Sequence, residues 1–135
     1  MYRFSKLVLA FSCTTGALSV LIAAYIAHSG PFEESSLRTL NSALQMMQFH
    51  VLALLVVAWI ARGPAFQGVL IASAVFFVVG IFLFSGNIFL QQLVGISSFR
   101  SLTPQGGMAF VVAWLLLAVA AFQMKSEPSD EKKAP

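Results

Sequence analysis

The chain has 135 residues, of which 59% are hydrophobic and 10% charged, whereas soluble globular domains carry about 25% charged residues. That deficit excludes a water-soluble domain, and the length supports one domain with no room for a separate catalytic module beside the apolar runs. The net charge of +3 does not point to nucleic acid, because the basic residues flank apolar runs and form no patch with interleaved aromatics.

A bilayer crossing needs about 20 predominantly apolar residues, and in hydrocarbon every backbone N–H and C=O must be bonded within the segment. Four runs meet the length. They predict an all-α polytopic membrane protein, a four-transmembrane-helix bundle over residues 1–124, followed by a disordered, charged cytoplasmic tail over 125–135. The first run, Leu7 to Ala27, is longer than the apolar region of a signal peptide and ends without an Ala-x-Ala site, so it is expected to stay as an uncleaved crossing. His28-Ser29-Gly30-Pro31 stops it. Ser12, Gly16, Ser19, Ala23 and Ala27 recur every three or four residues and predict a helix-packing stripe of small side chains. Cys13 is the sole cysteine and has no intramolecular partner.

Pro31 to Ala43 carries Glu33, Glu34 and Arg38 with Leu37 and Leu40 at helical spacing, and reads as an amphipathic lead-in lying in the interface. The second crossing then spans Leu44 to Ala61, is interrupted by Gln45, Gln48 and His50, and ends at Arg62-Gly63-Pro64. The third, about Ala65 to Phe84, is closed by Ser85-Gly86-Asn87, with a loop over Gln91 to Gln105. The fourth starts at Pro104 with Thr103 as its N-cap and runs to about Met124. Arg3, Lys6, Arg62, Lys125, Lys132 and Lys133 fall on one side and Arg38 and Arg100 on the other. Lys and Arg concentrate in cytoplasmic segments, so both termini are expected in the cytoplasm.

That topology gathers the polar residues at the outer end, leaving the inner half nearly all apolar. The candidate cluster is His28, His50, Ser85, Asn87 and Thr103. His50 lies within the hydrocarbon, where its donor and acceptor find no partner in lipid. It is expected to point inward and bond Ser85, Asn87, Thr103 or the backbone near His28, so that His50→Leu costs stability and His50→Gln is milder. Met46 and Met47 precede His50 by one helical turn, and thioether with imidazole suits copper(I) or haem iron. Two histidines at such different depths miss the spacing of strong metal motifs, so no metal and no cofactor is expected. No acidic residue lies in any crossing, which leaves a Ser, His and acid set incomplete and removes the usual proton-transport carboxylate.

Several segments in this order carry a resemblance. Ala27-His28 ends helix one, Phe49-His50 precedes Leu52-Ala53, Leu83-Phe84-Ser85-Gly86 ends helix three, and Thr103-Pro104 leads to Gly106-Gly107, Phe110 and Trp114. Together, over residues 7–124, they are similar to the YgdD-like family of small four-helix inner-membrane proteins of unknown function. The resemblance implies a bacterial inner-membrane location and the four-helix fold, and supplies no activity. The chain departs from the family pattern at Ala23-Ala24-Tyr25-Ile26-Ala27-His28, where Gly-Ala-Phe-Gly-Ala-His is common, and at Met46, where Tyr is common.

Three functions follow as expectations. The first is a non-enzymatic accessory or self-associating membrane subunit, whose partners are the lipid bilayer and either further copies or a larger membrane complex. The second is a small-ligand, haem or metal binder at the cluster around His28 and His50. The third is a transporter subunit.

Overall fold

Apolar side chains cannot by themselves choose between helix and strand, but length and the absence of water do. The computed structural model describes residues 2–30, 32–63 and 67–123, and four helices among them are long and apolar enough to cross a membrane. The chain is an all-α integral membrane protein. The expected tail over 125–135 lies outside the described residues.

Helix α1 covers Tyr2–His28 and α2 covers Glu34–Ile60. Each has 27 residues, about 40 Å at 1.5 Å per residue, longer than a hydrocarbon layer of about 30 Å. The lead-in expected over Pro31 to Ala43 is, from Glu34 onward, not a segment separate from the crossing but the first turns of α2 itself. Leu40 and Ala43 are fully buried, and their packing favours one continuous helix over a separate surface segment. Arg38 pairs with Glu34 one turn back, both exposed.

The third helix, α3, begins as a regular α-helix at Gln67–Gly80. It passes without a break through π-helical turns at Ile81–Gly86, one α turn at Asn87–Phe89 and further π turns at Leu90–Val94. Ser85-Gly86-Asn87 is thus not a stop. Phe77, Ile81, Ser85 and Phe89 are all buried at four-residue spacing, which on a regular α-helix drifts by about 40° per step. The wider i→i+5 turns absorb that drift and keep one face inward. The helix ends at Gly95, whose φ of 79° lies in the left-handed region, where a side chain would be strained. A short 3-10 turn at Arg100–Leu102 leads into α4, Thr103–Gln123. Thr103 has helical φ and ψ, so it is the first residue of α4 and not its N-cap.

The helices run up and down. α3 packs most extensively on α4 and α1 on α2, with α2 against α3 between the two pairs. The inward line of α1 is Ser5, Val8, Ser12, Thr15, Ser19 and Ile26, steps of three and four residues and then one of seven, a pattern that gives a seam against one neighbour. Of the expected stripe, Ser12 and Ser19 are on that seam, Gly16 and Ala23 are half-buried at its edge, and Ala27 is exposed. Repeated steps of four carry a stripe round the helix and away from its partner.

Candidate functional site

At the end of the bundle away from the N-terminus, the continuation of α3 carries Ser85, Asn87 and Gln91 inward. Ser85 is fully buried and its hydroxyl donates to the Ala43 carbonyl of α2 at 2.8 Å. Asn87 donates through Nδ2 to the Phe99 carbonyl at 2.6 Å and to Thr103 Oγ1 at 2.8 Å, which ties α3 to the turn before α4. Thr103 spends its hydroxyl here. Asn87 Oδ1 and, one turn further along, Gln91 Nε2 are buried without a hydrogen-bond partner. One acceptor and one donor in this state are each costly, and they lie next to a cleft lined by Thr39, Gln91, Gln92, Arg100, Thr103 and Pro104, among others.

His50 sits deeper and is 4% exposed. Its Nδ1 lies 2.7 Å from the Met46 carbonyl one turn back, so Nδ1 carries the hydrogen and donates. The ring stacks on Phe110 of α4 with centroids 3.5 Å apart and planes 2° apart, and Phe49, Phe77 and Trp114 surround it. Gly80 of α3 makes the room: a Cβ there would lie 2.5 Å from two carbons of the Phe110 ring. The expected bonds from His50 to Ser85, Asn87, Thr103 or the backbone near His28 are replaced by this local bond and the stack. The physical reason is that an i−4 carbonyl is always within reach on a helix, while an aromatic face serves the ring without any donor.

The candidate residues therefore separate. Asn87 and Thr103 are joined directly, Ser85 bonds α2, His50 is enclosed in aromatics, and His28 is exposed at the last residue of α1. Met46 is exposed and Met47 buried, so the two thioethers fall on different faces of α2. Among the described residues no three His, Cys, Asp or Glu side chains converge. His50 Nδ1 is committed to the Met46 carbonyl, and the rings packed against the imidazole, Phe49, Phe77, Phe110 and Trp114, bring no second ligand to it.

Other positions carry as much of the assembly and were not singled out from sequence. Ser5 donates to the Ala58 carbonyl at 2.6 Å and Ser73 to the Ala113 carbonyl at 2.9 Å, so the half of the bundle expected to be nearly apolar also holds buried polar links. A lone serine in an apolar helix is the only signal for either. At Gly106 a Cβ would fall 2.5 Å from the Phe84 backbone nitrogen and 2.7 Å from the Leu83 carbonyl carbon. Here the α3 and α4 backbones touch.

Residues 22–107, which contain all of the candidate cluster, match the family described as a protein of unknown function (DUF423). The chain is 32% identical over 112 residues to the UPF0382 membrane protein YwdK of Bacillus subtilis, covering 78% of this chain and 91% of that protein. It is 31% identical over 115 residues to a UPF0382 membrane protein of Haemophilus influenzae, covering 83% and 90%. It is 29% identical over 123 residues to the UPF0382 inner membrane protein YgdD of Escherichia coli, covering 90% and 93%. No solved structure matches the chain at a significant level.

Proposed function

We propose, from the premise that this chain belongs to the DUF423 family, whose members named above are membrane proteins, that it is a non-enzymatic accessory or self-associating subunit of the inner membrane. The observation that carries this reading is where the buried polar side chains are spent. Ser5, Ser73, Ser85 and Asn87 each donate to the backbone of another helix or of the turn that leads into it. Groups bound in this way hold helices in register and are not poised to attack a substrate. Both termini face the cytoplasm in this reading, supported by the basic bias of six residues against two. An alkaline phosphatase fused after Pro135 should be inactive, and an active fusion overturns the orientation.

Cys13 is exposed on α1, the helix that packs chiefly on a single neighbour. Thiol crosslinking through Cys13 in native membranes should give a discrete larger species, a homodimer or an adduct of defined mass. A protein that stays monomeric under these conditions and when purified in mild detergent overturns the subunit reading.

A second reading, binding of a small polar ligand, is favoured by the unpartnered Asn87 Oδ1 and Gln91 Nε2 beside the cleft at Arg100. A structure in lipid with non-protein density against these two atoms supports it. Water alone at that position counts against it.

A further inference from the structure

Along α2 one line of side chains lies on the outside of the bundle. Ser42, Gln45, Phe49, Leu52, Val56 and Trp59 are all exposed, at alternating steps of three and four residues that make a single seam over most of the crossing. We infer that this seam is the contact with a second copy of this chain, in which two parallel α2 helices meet on a twofold axis and Gln45 pairs with its own copy. The inference rests on the self-association reading above and assigns it a surface.

The period alone belongs to any helix with one face inward; the amide selects the occupant. Gly16 faces Val51, and Ser19 accepts from Gln48 Nε2 at 3.5 Å, so α1 and α2 run antiparallel with Gln45 level with Ile22. Ala27, where the first crossing ends, is further out by about 7.5 Å at 1.5 Å per residue. Gln45 is thus within the hydrocarbon, and among the described residues its amide has no hydrogen-bond partner. Thr14, also exposed in mid-crossing, turns its hydroxyl back on the Ala10 and Phe11 carbonyls of its own helix. Lipid tails offer neither donor nor acceptor, so an amide facing them is costly until another chain supplies both.

Copies inserted in the same direction and related by a twofold axis along the membrane normal meet at equal depth, so a residue beside the axis meets itself. A carboxylate or an ammonium would repel its copy there, whereas an amide carries donors and an acceptor and closes two reciprocal bonds with an identical amide. Ser42, one step outward on the seam, is self-complementary in the same way. Arg38, the next position along, is neutralised by Glu34 of its own helix and does not force the copies apart. Inward of Gln45 the seam holds Phe49, Leu52 and Val56, which pack on lipid as readily as on each other, so the amide pair is what sets the register.

The test uses full-length protein in native membranes. Cys13→Ser removes the natural thiol, and one cysteine at a time is placed on the seam by Leu52→Cys or Val56→Cys, or off it by Leu21→Cys on α1 or Val75→Cys on α3. Oxidation without a spacer should give a disulfide-linked homodimer from the two seam positions and not from the other two. The dissociation constant of the dimer in mild detergent, measured by sedimentation, should rise about tenfold in Gln45→Leu, the scale of one or two interhelical hydrogen bonds, and be largely restored in Gln45→Asn. Leucine suits lipid better than glutamine does, and circular dichroism of each variant confirms that a lost dimer is not a lost fold. A dimer that closes its disulfide at Leu21→Cys and not on the seam leaves self-association standing and overturns the α2 interface, whereas a protein monomeric in every variant overturns both. Seam cysteines crosslinked to a protein of another mass overturn the second copy as occupant. An undiminished dimer in Gln45→Leu overturns the amide pair.

Discussion

Two glycines show how one missing side chain can mean different things at the scale of a residue. At Gly106 a Cβ would meet backbone atoms of α3, which cannot rotate away, whereas at Gly16 it would stand 3.7 Å from the flexible Val51 side chain, an ordinary contact. Gly106→Ala should therefore destabilise by about 1 to 3 kcal/mol through forced separation of α3 and α4, and Gly16→Ala should be nearly neutral. Thermal unfolding in detergent measures both, and equal effects would show that the α3 and α4 backbones do not touch. His50 reverses an expectation. With only a same-helix carbonyl bonded to Nδ1 and Phe110 stacked on the ring, what the site loses on substitution is chiefly the aromatic face. His50→Phe should then be the mildest change, and His50→Gln should cost about 0.5 to 1.5 kcal/mol more, the worth of an aromatic pair. A glutamine variant more stable than the phenylalanine one would restore a hydrogen-bonding role. That His50 turns inward was legible from its polarity in an apolar run. Its partner was not, because Phe110 is an aromatic like many others here and stacking leaves no spacing signal.

Elements were legible where composition alone decides them and illegible where packing does. Four helices follow from run length and the cost of unbonded backbone in lipid, and each appears. Their ends do not follow so simply. Ser85-Gly86-Asn87 has the composition of a turn, yet Gly86 has helical φ and ψ and the helix goes on, because Ser85 finds a carbonyl on α2 and Asn87 finds the turn before α4. Tertiary hydrogen bonds override a local breaker in this segment. The same bonds make Asn87 the fastening between α3 and the Phe99 to Thr103 turn. Asn87→Leu should leave Thr103 and the Phe99 carbonyl without that donor and cost about 1 to 3 kcal/mol. Faster amide exchange confined at first to residues 97–103 is the expected signature. Unchanged exchange there would mean that the turn is held by its own backbone bonds.

In the whole molecule the two helix pairs are not equally bound. α3 and α4 share a backbone contact at Gly106, the Gly80 notch filled by Phe110, and the Ser73 to Ala113 hydrogen bond. α1 has its seam on α2, the Ser5 to Ala58 bond, a long Gln48 to Ser19 bond of 3.5 Å and, among the described residues, a single ring contact from Phe11 to Phe82 of α3, while Leu7, Leu18, Val20, Leu21 and Tyr25 remain exposed. In water those side chains would demand cover, but lipid tails are as apolar as they are, so α1 gains little by burying them and is held by packing and polar links alone. α1 should thus be the first element to leave the bundle. Ser5→Ala removes its buried bond to α2 and, at about 0.5 to 1.5 kcal/mol, should loosen α1 selectively. Hydrogen exchange in detergent is expected to rise over residues 2–28 with α3 and α4 still protected. If all four helices lose protection together, the bundle opens as one cooperative unit and the weak attachment of α1 is wrong.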